Sequence, residues 1–242
     1  MAAFGKKKKA SEFPDVIPVS EAIRKGDIFT KLIMGAGNLA RKQIIQGLLF
    51  LAGELAYILY MVFYGAKALQ NFVTLGTETQ KKVFNEATQV YEYATGDNSQ
   101  LCLLYGVVTF FVTIGFILLW RAAIRSSYIA QKAQEAGKKP ITFGQILKDL
   151  KDNRMYQLFL LFPFLGIILF TVMPLVFMIL MAFTNYDRDH LPPGKLFDWV
   201  GFQNFARVLN AGGALGETFW RVLGWTIIWA IFATFLKIFG LH

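Results

Sequence analysis

One cysteine and two histidines among 242 residues remove several chemistries at once. Cys102 has no second thiol to pair with, so no internal disulfide forms and a disulfide-stapled scaffold is excluded. His190, His242 and that single thiol fall short of the usual zinc ligand sets, so no metal site is assigned. Charge is scarce as well: 17% of residues are charged and 55% are hydrophobic, against about 25% and about 45–50% in soluble domains. Neither G-x-x-x-x-G-K-[ST] nor H-E-x-x-H occurs, which leaves no support for a P-loop ATPase or a zincin. No catalytic residue, cofactor-binding residue or cofactor is therefore assigned. The lysines at 6 to 9 precede the first apolar run by more than thirty residues and no small-residue cleavage site follows a short apolar core, so they do not mark a cleavable signal peptide.

What the sequence does contain is four long apolar runs. Ile44 to Ala66 is broken only by Glu54, and Leu101 to Trp120 carries no charge. At about 1.5 Å per residue each reaches roughly 30 Å or more, the thickness of a bilayer's hydrocarbon core. Leu158 to Phe183 is uncharged and long enough to cross with a tilt. Thr218 to Phe239 has an uncharged centre between Arg221 and Lys237, cations near opposite ends whose long side chains snorkel to the headgroups. The fold class is all-α: a polytopic membrane protein with about four transmembrane helices and short amphipathic interfacial helices.

The basic residues divide by side. Residues 1–43 carry nine Lys and Arg, 67–100 three, 121–156 eight and 184–217 three. Because Lys and Arg accumulate in cytoplasmic loops, this alternation predicts both ends cytoplasmic and 67–100 external. It also accounts for the formal net charge of +9 without nucleic acid as a partner, since no basic stripe interleaved with stacking aromatics occurs. The partner implied by charge and hydropathy is the lipid bilayer.

Four regions follow: a basic N-terminal segment over 1–43, a two-helix membrane module over 44–120, a cytoplasmic loop over 121–156, and two further spans over 157–242. Thr77 and Gln80 have capping-box spacing, and Val83, Ala87, Val90 and Ala94 share a helical face, which predicts a surface helix in the loop 67–100. Thr142 and Gln145 repeat the spacing, and Ile146, Leu147 and Leu150 oppose Lys148, Asp149, Lys151 and Asp152, predicting an amphipathic helix against the bilayer. Phe202, Phe205, Val208 and Leu209 predict another interfacial helix.

Two residues are candidates for a pathway or a helix bend. Glu54 is the only acid inside a span, where an ionisable group is expensive unless it faces water or a partner; a hydrogen bond to a neighbouring helix is the structural alternative to a role in transport. Pro174 lacks an N–H, frees the carbonyl of Phe170 and bends the third span; Pro163 does the same nearer that span's start. Gly35, Gly37 and Ala40 spell G-x-G-x-x-A, but no strand precedes them, so they read as a flexible approach to the first span rather than a dinucleotide site. Cys102 reads as a packing residue.

Leu161-Phe162-Pro163, Met173-Pro174-Leu175, Ala182-Phe183-Thr184-Asn185-Tyr186-Asp187 and Val200-Gly201-Phe202-Gln203-Asn204-Phe205 follow one another in an order and spacing that resemble the opening of the core of binding-protein-dependent sugar ABC permeases of the maltose MalF type. Upstream, Lys42 to Leu51 and Leu75-Gly76-Thr77 are similar to the extra N-terminal module of maltodextrin permeases from Gram-positive bacteria. The resemblance covers roughly 35 to 235 and implies a multi-pass subunit in a bacterial plasma membrane. It further implies pairing with a second permease subunit, two cytoplasmic ATPase subunits that hydrolyse ATP, and an extracellular sugar-binding protein. The implied task is import of maltodextrin-like oligosaccharides, with no enzymatic step in this chain. The family's E-A-A…G loop for ATPase docking is not found in these residues, so the resemblance is to the N-terminal part of such a permease and assigns no substrate-binding residue. A small stand-alone four-helix scaffold or assembly protein is the competing reading.

Overall fold

The computed structural model describes residues 18–26, 28–86, 89–210 and 212–239. Expectations attached to the lysines at 6 to 9, to Ala87 and to His242 lie outside the described residues. Three short helices, α1 (Val19–Lys25), α2 (Ile28–Leu32) and α3 (Ala36–Ala40), precede the first span, α4 (Ile44–Thr74). Strands β1 (Lys82–Asn85) and β2 (Val90–Tyr93) separate it from the second span, α5 (Ser99–Glu135). Helix α6 (Phe143–Asp152), the third span α7 (Met155–Met181), helix α8 (Gln203–Leu209) and the fourth span α9 (Ala214–Phe239) complete the order. Among the described residues four helices are long and apolar enough to cross a membrane, and they coincide with the four apolar runs. The protein is a multi-pass α-helical membrane protein.

The second span outruns its apolar block by fifteen residues, to Glu135. Residues 121–135 are rich in Ala, Arg, Gln, Lys and Glu and contain neither Gly nor Pro, so nothing stops the helix where the hydrophobicity ends. Gly137 then takes φ +68, while the N–H of Lys138 donates to Ala133 O at 2.8 Å and that of Gly137 to Gln134 O at 2.9 Å. This pair of bonds closes the helix on a left-handed glycine.

The loop 67–100 corrects the expected surface helix. Its central segment is an antiparallel hairpin, pairing Lys82 with Tyr93 and Asn85 with Val90. Val83, Phe84, Val90, Tyr91 and Tyr93 are β-branched or aromatic, and this strand propensity outweighs the weak three-and-four spacing through Ala87. Gln80 does not close a capping box: its N–H donates to Pro193 O at 3.2 Å. Helices are present at both expected places, as α6 and α8. In α6, Gln145 Oε1 accepts from the Thr142 N–H at 2.8 Å, as the capping-box spacing requires.

Two compact units are distinguished. The first comprises the described residues up to 68 and residues 108–170. Ala22, Ile124 and Tyr128 form a buried cluster there, with Ile23, Trp120 and Ile129 against it. Glu21 accepts from Lys25 and Lys132, each at 3.4 Å, and from the Tyr128 hydroxyl at 3.2 Å. Lys25 first, and then Lys132, hold the Glu21 carboxyl below its ordinary value. The second unit comprises the described residues within 69–107 and from 171 on. Its core is Leu75, Leu103 and Phe197, flanked by Phe72, Phe177, Leu180, Met181 and Trp199. Trp199 Nε1 donates to the Phe72 carbonyl at 3.2 Å, and a Cβ on Gly106 would stand 2.3 Å from the Phe72 ring. Cys102 is buried in the same unit as a free thiol.

Candidate functional site

Glu54 sits half-buried on the first span, and its Oε2 accepts the backbone N–H of Met34 at 2.8 Å. The bond is possible because residues 28–40 fold back along the first turns of α4 rather than trailing away. Two glycines allow that approach. Gly35 has φ +84, and a Cβ on it would stand 2.2 Å from the Gly47 carbonyl oxygen; a Cβ on Gly37 would stand 2.0 Å from Thr30 Oγ1 and 2.1 Å from Ser127 Oγ. The G-x-G-x-x-A string is thus a close-packing element with ordered helices on either side, which corrects the expected flexible approach.

The fold-back carries a polar cluster that sequence reasoning missed. Asn38, fully buried, donates through Nδ2 to Gln43 Oε1 at 2.7 Å and to Ser126 Oγ at 2.9 Å. Arg41 Nη1 donates to Gly37 O and Ser127 Oγ, each at 2.8 Å. Gln43 Nε2 donates to the Ile141 carbonyl at 2.7 Å, and Thr30 Oγ1 lies 3.1 Å from Ser127 Oγ. Side chains from the segment before the first span are thereby tied to the charged extension of the second. The one legible signal was the pair Ser126-Ser127 within a helix-forming stretch after the apolar block.

Gln46 is 5% exposed, and neither atom of its amide has a hydrogen-bond partner among the described residues. A buried unpaired amide costs about 1–3 kcal/mol, and exchange for an apolar group of similar shape recovers part of that. Gln46→Met is therefore expected to raise the melting temperature of the purified protein in detergent. A drop in melting temperature would show that the amide has a partner in the purified protein.

Glu54→Leu and Glu54→Gln separate the two readings of this acid. Leu leaves the Met34 N–H without its acceptor, a loss of about 1–3 kcal/mol, whereas Gln keeps an acceptor oxygen. Hydrogen exchange at Met34 is expected to speed up in Glu54→Leu and to stay near wild type in Glu54→Gln. Equal protection in all three proteins would refute the latch.

Beside Glu54 on α4, Gly53, Ala56, Tyr57 and Tyr60 face Val112, Gly115, Phe116 and Leu119 of α5 across an open apolar groove of about 350 Å³. Tyr57 stacks on Phe116 with centroids 3.9 Å apart and donates to Thr113 Oγ1 at 3.2 Å, while Tyr60 and Thr109 share a 2.8 Å bond. The hydroxyls are thus satisfied within the helix pair, as apolar surroundings demand.

Pro174 lies in the second unit, immediately after a π-helical turn over Ile168–Val172. The widened ladder is what a residue without an N–H permits, since the Phe170 carbonyl has no donor four residues ahead. Beyond the end of this span, the two sequence strings 182–187 and 200–205 close on each other, with Asp198 just before the second taking part. The Val200 N–H donates to Phe183 O at 2.8 Å, and Asn185 and Asp198 exchange bonds at 3.0 and 2.6 Å. Asn204 Nδ2 then donates to the carbonyls of Ala182 at 2.9 Å and Thr184 at 2.7 Å. The first is the C-cap carbonyl that the helix itself leaves unpaired, and the second lies just beyond the helix, in the bridge between Thr184 and Trp199. Phe183, Phe202 and Phe205 pack face and edge around the clip. Next to it, His190 Nδ1 lies 2.7 Å from Asp187 Oδ1, and this contact holds the Asp187 carboxyl below its usual range.

Together the four spans and the short helices between them define a polytopic α-helical membrane protein. The chain is similar to permease proteins of oligosaccharide transport systems. It is 32% identical over 208 residues to the maltodextrin transport system permease protein MdxF of Bacillus subtilis, and 29% identical over 208 residues to the maltodextrin transport system permease protein MalC of Streptococcus pneumoniae. Each alignment covers 86% of this chain and 44% of the relative. The galactooligosaccharides transport system permease protein GanP of Bacillus subtilis is 29% identical over 228 residues, 89% of this chain and 48% of its own length. The chain therefore spans about half the length of the curated relatives it matches. No family model matches the chain. No solved structure matches it.

Proposed function

We propose that this chain forms part of the permease of an ABC importer for maltodextrin-like oligosaccharides. The observation that carries the reading is the similarity to three oligosaccharide permeases along 86–89% of the chain. The four spans support it, and so does the clip formed by the strings that first suggested the family. In this reading the chain lies in a bacterial plasma membrane with its first and last residues on the cytoplasmic side. It works with a second permease subunit, two cytoplasmic ATPase subunits and an extracellular sugar-binding protein, and the ATPases supply the energy. Residues 1–43 form a cytoplasmic segment, 44–120 an N-terminal two-helix module, 121–156 a cytoplasmic loop and 157–242 the start of the permease core. Glu54 and Pro174 are the candidates for a pathway or helix bend. Deleting the coding segment in its host is expected to abolish uptake of labelled maltodextrin, and complementation is expected to restore it. Undiminished uptake of maltodextrin and galactooligosaccharide after deletion would overturn the reading.

The topology is tested separately. The alternation of basic residues places Glu92 outside and Lys139 inside. In intact cells, a membrane-impermeant thiol reagent is expected to label Glu92→Cys and to spare Lys139→Cys. The reverse pattern would invert the assignment.

A further inference from the structure

The β1–β2 hairpin has two unlike faces. The register pairs Lys82 with Tyr93 and Phe84 with Tyr91, so these four side chains share one side of the ribbon. Val83, Asn85, Val90 and Glu92 share the other, where Asn85 Nδ2 donates to Glu92 Oε2 at 3.1 Å. On the first side, Lys82 Nζ stands 5.3 Å over the Tyr93 ring, and Phe84 meets Tyr91 edge-on at 5.1 Å. The aromatics are nonetheless open: Tyr91 is 68% exposed, Tyr93 60% and Phe84 43%. A two-stranded ribbon is marginal in water unless something packs on it, and an exposed aromatic patch marks an interaction surface.

We propose that this aromatic face, with Lys82, docks onto the phospholipid headgroup layer at the ends of the first and second spans. Three observations select lipid. The hairpin is tethered closely, with only residues 75–81 and 94–98 between it and the two helices. Its base is locked, since Asp97 Oδ2 accepts from the N–H groups of Thr77 at 2.8 Å and Glu78 at 3.1 Å, and Ala94 N–H donates to Lys81 O at 2.9 Å. The ribbon therefore stays near the helix ends, where the membrane surface lies. Charge is segregated in the same sense: the aromatic side carries the Lys82 cation, while Glu92 occupies the opposite side and Glu86 the turn. Tyr and Phe beside Lys is the composition that headgroup regions retain, with rings at the boundary and the cation on lipid phosphate. A sugar is the poorer occupant. Phe84 and Tyr91 are inclined at 62° rather than forming a flat stacking platform, and the groups suited to sugar hydroxyls, Asn85 and Glu92, bond each other on the other face.

The test uses the full chain with Cys102→Ala in nanodiscs of phosphatidylethanolamine and phosphatidylglycerol, with nitroxides on Tyr91→Cys or Glu92→Cys. Power saturation with oxygen and a water-soluble nickel chelate reports depth in either leaflet, so the result depends neither on the topology nor on the transport reading. The label at 91 is expected to favour oxygen and that at 92 nickel, with collision ratios differing several-fold. Equal nickel access at both positions overturns the proposal in favour of a solvated hairpin. Protection at 91 from both reagents overturns it in favour of a protein cover, and protection that requires added maltotriose overturns it in favour of a sugar face. Lys82→Glu is expected to move the label at 91 toward water; an unchanged depth removes the role given to the cation.

Discussion

Gly35→Ala is expected to lower the melting temperature of the purified protein and to release residues 28–40 from the first span. The glycine has φ +84, a conformation that costs a residue with a Cβ roughly 1–2 kcal/mol. The added carbon would also stand 2.2 Å from the carbonyl oxygen of Gly47 and 2.9 Å from its carbonyl carbon. Both are backbone atoms of a helix, so no rotamer change relieves the clash, and overpacking of this kind adds about 1–3 kcal/mol. The loss extends beyond one contact, because the same approach positions Met34 on Glu54 and Asn38 on Ser126. Faster hydrogen exchange over residues 28–40 together with a lower melting temperature is the expected result. Gly115→Ala is the control, since nothing lies within 4 Å of a Cβ there and little change is expected. A Gly35→Ala protein with wild-type melting and exchange would show that the segment does not press on the span.

The four spans were legible because an apolar run of bilayer length has few alternatives: its backbone must bond within itself once water is gone. The helix-closing features were legible at α6, where Gln145 answers Thr142, but the same spacing at Thr77 and Gln80 misled. Spacing alone does not report that Asp97 holds the N–H groups of Thr77 and Glu78 for a loop instead. Glu54 stood out as an isolated acid, yet its partner is a backbone N–H twenty residues earlier, and a backbone group leaves no mark in a sequence. The Asn38, Arg41, Gln43 and Ser127 cluster was hidden for a related reason. Its members come from segments separated by more than eighty residues, and each alone reads as an ordinary polar residue near a membrane edge.

Pro174→Ala is expected to remove the π-helical turn from the third span and, in the assembled transporter, to reduce oligosaccharide uptake severely. Ala supplies the N–H that proline lacks, so the Phe170 carbonyl regains a donor four residues ahead and the ladder can close in α geometry. The turn at stake, Ile168–Val172, lies directly before Met173 and Pro174. Its removal changes the phase between the two halves of the helix, because a π turn carries one residue more than an α turn, and one residue corresponds to about 100° of rotation. Side chains after Pro174 would then face new neighbours. Phe177, Leu180 and Met181 now pack against the Leu75, Leu103 and Phe197 cluster, so a change of phase there withdraws several apolar contacts at once. Distances between spin labels at Leu160 and Leu180 are expected to change as the ladder closes in α geometry. Under the proposed function, in which Pro174 is a candidate helix bend of the transport pathway, uptake is expected to fall with the loss of the π turn. The two readouts are independent. Unchanged distances would show that the π turn does not depend on Pro174, whereas changed distances with normal uptake would show that the turn depends on the proline but that transport does not use it.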